Sequence, residues 1–589
     1  MNPYRAMIAA VVLVLVMFPL VASQGIVTSF TYIGIDCLVA IGLVLLTGMA
    51  GLTSFGQAAF AGVGAYATAL LTAQQGWPAL LTLPVSLAVA GVAALGLGAI
   101  TVRLAGHYLV LGTLAWGTAI YYLLGSVPGL GGNNGIVGLP AIVVGGFAFD
   151  TPVRLYGLIW ALAGLGFLMA TRLLDSRAGR AIRSLPAPVM AESLGVPTAW
   201  FKIQVFIIAA LLAGLSGWLQ AHTVRVVNPG PFGGGASIDD LFMVVIGGVG
   251  SLGGALLGPI VFELVRDWLR EFLPWLVGRS GSFEIAVFGL LVMLMLQTAS
   301  SGLMPLLTRF LPARPPRLLP AQARDLVMRP PATRGTLLLA VDDLQKRFGG
   351  LVALSGVGFS LHAGEILGVI GPNGAGKSTL FNLLTGVDRA DAGRIAFAGQ
   401  PIERRTSRQI AALGVSRTFQ HVLLRPAMSA LENVALGAHR RGRRGALSAI
   451  LRLDRAEEAS LLREAQRQLD RVGLGALAGQ PAGSLPLGQQ RLLEIARAMA
   501  ADPALLLLDE PAAGLRHQEK QRLAALLGSL RHEGRTILLV EHDMSFVMNL
   551  VDRVVVLDFG RKLAEGTPAE IRRDAAVMDA YLGGVPQAA

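Results

Sequence analysis

The first 305 residues carry a succession of long apolar runs, and that feature leaves few folds open. The runs lie near 6–22, 30–50, 56–74, 80–101, 108–125, 155–171, 202–221, 239–262 and 283–304. Crossing a bilayer takes ~20 such residues, and a backbone inside lipid must bond to itself, so runs of this kind form helices. About eight to ten crossings are expected on this length criterion. Several runs are interrupted by glycine, and Gly129 to Gly138 reads as a loop. Arg5 followed by Met7–Val21 looks like a secretory leader, but Val21-Ala22-Ser23 is a poor cleavage site and more apolar runs follow. A retained first span is therefore expected. The single cysteine, Cys37, lies in an apolar run and rules out an intrachain disulfide. Asp36 and Gln57 are polar residues in or beside apolar runs. Such residues either serve function or bond to a neighbouring helix.

Between Thr171 and Lys202 the chain turns polar, with Arg172, Asp175, Arg177, Arg180, Arg183 and Glu192. Arginines in a short loop argue for the cytoplasmic side. The helical stretches of 176–196 are expected to break at Pro186 and Pro188. Read alone, the segment is a solvated basic loop. The formal net charge of +12 is explained by arginines that flank spans or sit in a linker. No aromatic-interleaved basic face is present, so nucleic acid is not an expected partner. Residues 305–335 hold Pro305, Pro312, Pro315, Pro316, Pro320, Pro330 and Pro331 among arginines. A stiff, extended linker is expected there. The expected domains are thus 1–305 in the membrane, a linker at 306–335, and a soluble α/β domain at 336–589.

The soluble half contains Gly371-Pro372-Asn373-Gly374-Ala375-Gly376-Lys377-Ser378-Thr379, which fits G-x-x-x-x-G-K-[ST]. Glu365–Ile370 before it reads as a buried strand, and Ser378–Leu384 after it opens a helix. That context turns successive N–H groups and a helix N-terminus toward phosphate. Lys377 can reach the β- and γ-phosphates, and Ser378 can ligate Mg²⁺. Further on, Ala504–Leu508 is an apolar run ending in Asp509-Glu510. It suits a parallel strand buried on both faces. Asp509 would hold Mg²⁺, and Glu510 would polarise an attacking water. Thr536–Val540 is another apolar strand, followed by Glu541-His542-Asp543. His542 and Gln420 are further γ-phosphate candidates. Each is unremarkable in isolation.

The ATPase must share a side with the arginine-rich loop, so the crossings between them must be even. Three apolar runs are present there. The middle one holds Gly247-Gly248-Val249-Gly250-Ser251-Leu252-Gly253-Gly254. Either 239–262 is a broken or re-entrant element, or 263–278 supplies a fourth crossing.

Taken in order, the motifs of residues 337–584 resemble an ATP-binding cassette. They comprise the glycine loop, Gln420, Leu485-Pro486-Leu487-Gly488-Gln489-Gln490-Arg491, Leu505–Glu510, Ala512-Ala513-Gly514-Leu515 and His542. The resemblance implies ATP and Mg²⁺ as cofactors and an adenine-stacking role for Phe348. It also implies that 485–491 contacts ATP held by an opposite subunit. The usual Ser-Gly pair is missing, so backbone contacts from Gly488 and Gln489 would matter more. Arg516 stands where the family has aspartate or asparagine. A narrower resemblance is to importers of branched-chain amino acids. Arg417-Thr418-Phe419-Gln420, Leu431-Glu432-Asn433-Val434, Leu485–Met499 and Met578–Gly583 match their ATPase. Gly51–Phe60, Asp175–Gly195 and Val244–Gly258 match their permease, which often carries His where Gln57 stands.

The implied architecture is an all-α polytopic membrane domain followed by an α/β P-loop cassette. The implied function is ATP-driven amino-acid import across a bacterial cytoplasmic membrane. Segment 176–196 would be the coupling loop, seated in a groove of the cassette near Gln420. The expected partners are membrane lipid, an external solute-binding protein, an amino-acid substrate, and a second permease and ATPase or a second copy of this chain. Rival readings are a half-transporter acting as an exporter or on another small polar substrate, and a regulatory protein that binds nucleotide without turnover. The presence of Glu510 and His542 argues against the last.

Overall fold

The computed structural model describes residues 3–104, 106–277, 283–299, 301–310, 323–330 and 332–582. Pro312, Pro315, Pro316, Pro320, Pro331 and Gly583, and the ends of the runs 263–278 and 283–304, touch or lie outside the described residues. The chain divides into two compact units. One is Met1–Asp175 with Ala199–Pro316; the other is Ser176–Thr198 with Arg317–Ala589.

The first unit is helical. It contains α1 (Pro3–Val21), α2 (Gln24–Leu43), α3 (Gln57–Ala69), α4 (Ala79–Thr101), α5 (His107–Ser126) and α6 (Pro152–Leu174). Helix α2 continues in a wide π-type turn to Met49. After an excursion into the second unit as α7 and α8, the chain returns as α9 (Thr198–Val224), α10 (Gly234–Gly247), α11 (Gly254–Val277), α12 (Phe283–Thr298) and α13 (Leu303–Leu307). Among the described residues, five helices are long and apolar enough to cross a membrane: Gln24–Met49, α4, α5, α6 and α9. Ala9–Val21 and Ala286–Thr298 are shorter apolar helices. The core joins Ile33 and Leu38 of α2, Ile159 of α6, and Trp218 and Leu219 of α9.

Small residues set the closest approaches. A Cβ on Gly64 would lie 2.5 Å from the Gly214 carbonyl oxygen, and one on Gly217 would lie 1.9 Å from that of Ala61. Small residues of this kind let helix backbones pack directly. The run 239–262 is broken at 248–253, where Gly248 takes φ +114. Helix α10, with 14 residues, reaches ~21 Å at 1.5 Å per residue, short of a ~30 Å hydrocarbon core. Helix α11 runs through to Val277, so residues from 263 onward extend an existing helix and are no separate crossing. Gln57 opens α3 at 1% exposure, and its amide has no hydrogen-bond partner among the described residues. The stretch expected as a loop ends in β1 (Ile136–Val137). It is followed by the hairpin β2 (Ile142–Val144) and β3 (Phe147–Phe149), and β1 pairs with β4 (Val226–Val227).

In the second unit, α7 (Arg177–Ser184) and α8 (Pro188–Ser193) precede the cassette. Pro188 starts α8 rather than breaking a helix, because its missing N–H is an orphan in a first turn anyway. An antiparallel sheet of order β6-β5-β8-β9 is built from β5 (Leu337–Phe348), β6 (Leu351–His362), β8 (Ala392–Phe397) and β9 (Gln400–Pro401). The larger sheet has the order β10-β11-β12-β7-β13-β14. Its strands are β7 (Ile366–Ile370), β10 (Val415–Arg417), β11 (Leu505–Asp509), β12 (Thr536–Val540), β13 (Arg553–Asp558) and β14 (Arg561–Gly566). Every pair but β13–β14 is parallel.

The apolar runs expected to be doubly buried strands are so. Ile366, Leu506, Leu508, Ile537 and Val554 face one core, while Leu367, Leu505, Leu507, Leu538 and Val555 face the other. That is the period-two alternation of a strand with both faces covered. Helices α14 (Lys377–Leu384), α15 (Ser407–Leu413), α16 (Ala430–Gly437), α17 (Ala446–Ile450), α18 (Arg455–Arg471) and α19 (Leu487–Ala500) belong to this unit. It ends with α20 (His517–His532), α21 (Met544–Met548), α22 (Pro568–Ile571) and α23 (Ala575–Leu582).

Candidate functional site: a nucleotide loop, a carboxylate cluster and an arginine-paired segment

Strand β7 delivers the chain into the glycine loop, and α14 leaves it. Gly371 has φ +154, and a Cβ there would stand 2.2 Å from the Leu557 carbonyl oxygen. Only glycine fits this crossing of loop and β13. Ala375 is buried, Asn373, Gly374 and Ser378 are exposed, and Pro372, Gly376 and Thr379 are half-buried. Lys377 folds back into the loop, donating from Nζ to the carbonyls of Gly371 (2.7 Å) and Pro372 (2.9 Å). Burial lowers its pKa, with Glu510 and Asp509 opposing. Phe348 ends β5, is 46% exposed, and lies 5.1 Å from the Lys346 ammonium.

Three residues far apart in sequence meet at the end of β11. Gln420 Nε2 is 3.4 Å from Glu510 Oε1, and His542 Nδ1 is 4.0 Å from Glu510 Oε2. Glu510 takes φ +47 while its N–H bonds to the Val540 carbonyl at 2.9 Å. A left-handed conformation costs a non-glycine residue free energy and is common at functional positions. Asp509 is buried, and its pKa is raised to about 6 by that burial, against Arg417 and with Glu510 adding to it. In α19, Gly488 is buried and Gln489 half-buried. A Cβ on Gly488 would come 2.7 Å from Glu519 Oε1, while Glu519 Oε2 accepts from the Arg516 N–H at 2.8 Å. The two stretches that depart from the family pattern therefore share one carboxylate.

Sequence reasoning passed over the residues that hold this cluster. Arg417 donates to Asn382 Oδ1 (3.1 Å) and Thr385 Oγ1 (2.7 Å) and stands 3.7 Å from Asp509. It thus ties α14 to β11. Arg491 donates to the carbonyls of Phe419 (2.9 Å) and Gln420 (2.5 Å), fixing the loop that carries Gln420. Glu541, 1% exposed, accepts from the N–H of Ala512 (2.7 Å) and His542 (3.0 Å). Arg417 and Glu541 each open a quoted stretch and Arg491 closes one, which is the signal the sequence gives, but no role attaches to them there.

The segment 176–198 is the second feature of this unit. Ser176 caps α7 by accepting from the Gly179 N–H at 3.1 Å. Residues three apart share a helix face, and Arg177, Arg180 and Arg183 use that spacing. Arg180 makes a two-pronged pair with Glu458 of α18 at 2.5 and 2.9 Å, the side chains 1% and 4% exposed. Arg183 reaches Glu432 of α16 at 2.6 and 3.3 Å. Arg177 donates to the carbonyls of His439 (2.8 Å) and Arg444 (2.6 Å), with Glu457 at 3.8 Å. At Gly195, φ +80, a Cβ would stand 2.2 Å from Arg440 Cδ. Helix α8 packs on α15. The seat is thus formed by α15, α16, the turn 438–441 and α18. Gln420 itself bonds at the Glu510 cluster, and Arg425, five residues further on, feels the charge of Arg183. Glu192 accepts from Thr198 at 2.6 Å, inside its own segment.

This contact sets a pH dependence. Burial, with Arg177, Arg180 and Arg440 adding to it, holds the His439 pKa well below its usual value. Burial pushes Glu432 up, but Arg183 and the Ser429 N–H outweigh it and leave the carboxyl below its usual range. The unfolded chain takes protons on His below pH ~6.5 and on Glu below ~4.3, where the folded contact refuses them. Both terms therefore remove stability as pH falls. Thermal unfolding of the chain should show a falling midpoint below pH ~6.5. His439→Gln should flatten the upper part of that limb; an unchanged limb would assign it elsewhere.

Comparison with known proteins agrees with the two halves. Residues 25–296 match the permease component of branched-chain amino acid transport systems. Residues 354–513 match the ABC transporter family, and 561–585 match the branched-chain amino acid ATP-binding cassette transporter family. The Escherichia coli K12 high-affinity branched-chain amino acid transport ATP-binding protein LivG is 45% identical over 249 residues, 42% of this chain and 98% of LivG. The Pseudomonas aeruginosa counterpart, BraF, is 43% identical over 249 residues, 42% of this chain and 98% of BraF. A solved ABC-transporter cassette in its ADP conformation is 32% identical, with TM-score 0.38, covering 42% of this chain and all of that one. The apolar helices and the permease match make this a membrane protein, and the cassette makes it a nucleotide-binding ATPase. The chain belongs to the ATP-binding cassette transporters of the branched-chain amino-acid type, with the permease and its ATP-hydrolysing cassette fused in one polypeptide.

Proposed function

We propose that this chain drives the import of branched-chain or related amino acids across a bacterial cytoplasmic membrane. Residues 1–305 serve as permease, 306–335 as linker and 336–589 as cassette. The observation that carries the hydrolytic half is the meeting of Gln420, Glu510 and His542 at the end of β11. In this reading the N–H groups of Gly371–Thr379 cradle the phosphates. Lys377 leaves the Gly371 and Pro372 carbonyls for the β- and γ-phosphates. Phe348, exposed at the end of β5, stacks on adenine. Glu510 polarises the attacking water, while Gln420 and His542 orient toward the γ-phosphate. Mg²⁺ takes hard oxygen ligands, and the Ser378 hydroxyl, the Gln420 amide oxygen and the Asp509 carboxylate are of that kind. Bound there with phosphate oxygens, it would neutralise developing charge. Gly488 and Gln489 face the nucleotide of an opposite cassette.

One cassette and one permease are half a transporter. The departures from the family pattern at 485–488 and Arg516 favour an asymmetric pair, which tolerates them in one member, with a separate permease and ATPase completing the complex and an external binding protein delivering substrate. The chain purified alone and placed in liposomes should show little uptake of labelled leucine with binding protein added. Uptake should appear when the second permease and ATPase are supplied. Full substrate-stimulated uptake from the single polypeptide would instead establish a homodimer.

A further inference from the structure

Residues 323–330 lie between the stretches that the two family profiles match, which end at 296 and begin at 354. They are nevertheless fastened to the cassette along their length. Arg463 of α18 donates to the Ala323 carbonyl. Leu326 packs against the cassette core. Arg441 donates to the carbonyls of Val327 (3.2 Å) and Ala500 (3.1 Å) and pairs with Glu464 of α18 at 3.3 Å. Arg467 of α18 lies 3.3 Å from the Met328 sulfur. The Arg329 N–H donates to Asp502, and its guanidinium donates to the Leu413 carbonyl at 2.5 Å. That last contact is built for the arginine. Gly414 ends α15 at φ +107, and a Cβ there would stand 1.2 Å from Arg329 Nη1.

The elements joined by this strap are α15, the turn 438–441 and α18. The same three elements, with α16, seat the segment 176–196. Arg440 meets Gly195 while its neighbour Arg441 holds the strap, and Glu458 meets Arg180 about one and a half helical turns from Arg463. Those elements belong to different parts of the cassette, since α15 leads into β10 at the sheet edge while α18 lies on the helical layer.

We propose that residues 323–330 brace the seat of the coupling segment. Arg329 acts as its positioning residue, so that the fusion linker tunes coupling and is more than a tether. The proposal rests on the reading of 176–196 as the coupling element. Without the brace, α15 and α18 shift relative to each other and the three arginines lose their register. The strap contacts neither the glycine loop nor the Glu510 cluster among the described residues, so basal hydrolysis is unaffected.

The test compares wild type, Arg329→Ala, Arg329→Lys and Arg180→Gln in the assembled, reconstituted transporter. It measures basal ATPase, leucine taken up per ATP hydrolysed, and hydrogen exchange of residues 177–196. Arg329→Ala should speed that exchange roughly tenfold, the effect of losing the one guanidinium hydrogen bond to Leu413, with basal ATPase within about twofold. Uptake per ATP should fall severalfold, and Arg329→Lys, which keeps one donor, should restore part of it. Wild-type exchange and coupling in Arg329→Ala would overturn the brace, as would an equal fall in basal ATPase. Normal coupling in Arg180→Gln would instead overturn the coupling reading itself. Should Arg329→Ala fail to fold, cleavage at a protease site placed within 312–320 decides. Preserved coupling supports the brace, since 323–330 stays on the cassette, and lost coupling leaves only a tether.

Discussion

Glu510→Gln is expected to lower steady-state ATP hydrolysis about 10³-fold while leaving ATP binding near that of wild type, the size of effect associated with removing a general base. The amide keeps the shape of the side chain and can still accept from Gln420 Nε2, now 3.4 Å away. What it loses is the negative charge that polarises water. The strained φ of +47 at this residue is imposed by the turn after β11 and is retained in the variant, so the fold is not at issue. Lys377→Ala should make the opposite separation, because on the proposed reading Nζ reaches the β- and γ-phosphates and its loss weakens nucleotide binding itself. Filter binding of labelled ATP and phosphate release, measured on the same preparations, distinguish the two. A partner cassette with its own carboxylate must carry the matching substitution. Hydrolysis at the wild-type rate in Glu510→Gln would remove the residue from the mechanism.

The parts of this molecule that could be read from sequence are those with a short-range signature. The glycine loop announces itself through its spacing. Strands β7, β11 and β12 announce themselves as unbroken apolar runs, because a strand covered on both faces has no polar side to display. Gln420 and His542 could be proposed but not placed. Their approach to Glu510 depends on β10 and β12 flanking β11, a crossover order no local pattern encodes. The supports were invisible for the same reason. Arg417 and Arg491 look like other arginines in an arginine-rich chain, and only the fold shows one bridging α14 to β11 and the other gripping the Gln420 loop. The glycines at 248–253 correctly forecast a broken helix. The seating of 176–196 on the cassette was legible only through the family resemblance, because it rests on contacts made more than two hundred residues away.

Those contacts make the second large prediction. Arg180 and Glu458 are nearly inaccessible to water, at 1% and 4% exposure, and the pair satisfies both carboxylate oxygens. A buried pair is a weak source of net stability, because the charges had to be desolvated, but removing one partner strands the other and costs about 3–5 kcal/mol. Arg180→Gln and Glu458→Gln should therefore each release the segment. Arg183–Glu432 and the Arg177 contacts are insufficient to retain it, since Arg183 and Glu432 remain 19% and 25% exposed and partly screened. Uptake of labelled substrate should collapse in both variants while basal ATPase persists, because neither residue touches the glycine loop or Glu510. The double variant Arg180→Gln/Glu458→Gln replaces an orphaned charge with two amides able to bond to each other. It should recover more than either single change, giving a coupling energy of about 2 kcal/mol or more in a double-mutant cycle on thermal stability. Strict additivity of the two substitutions, or full uptake in either single variant, would show that the arginine-rich segment meets the cassette without driving it.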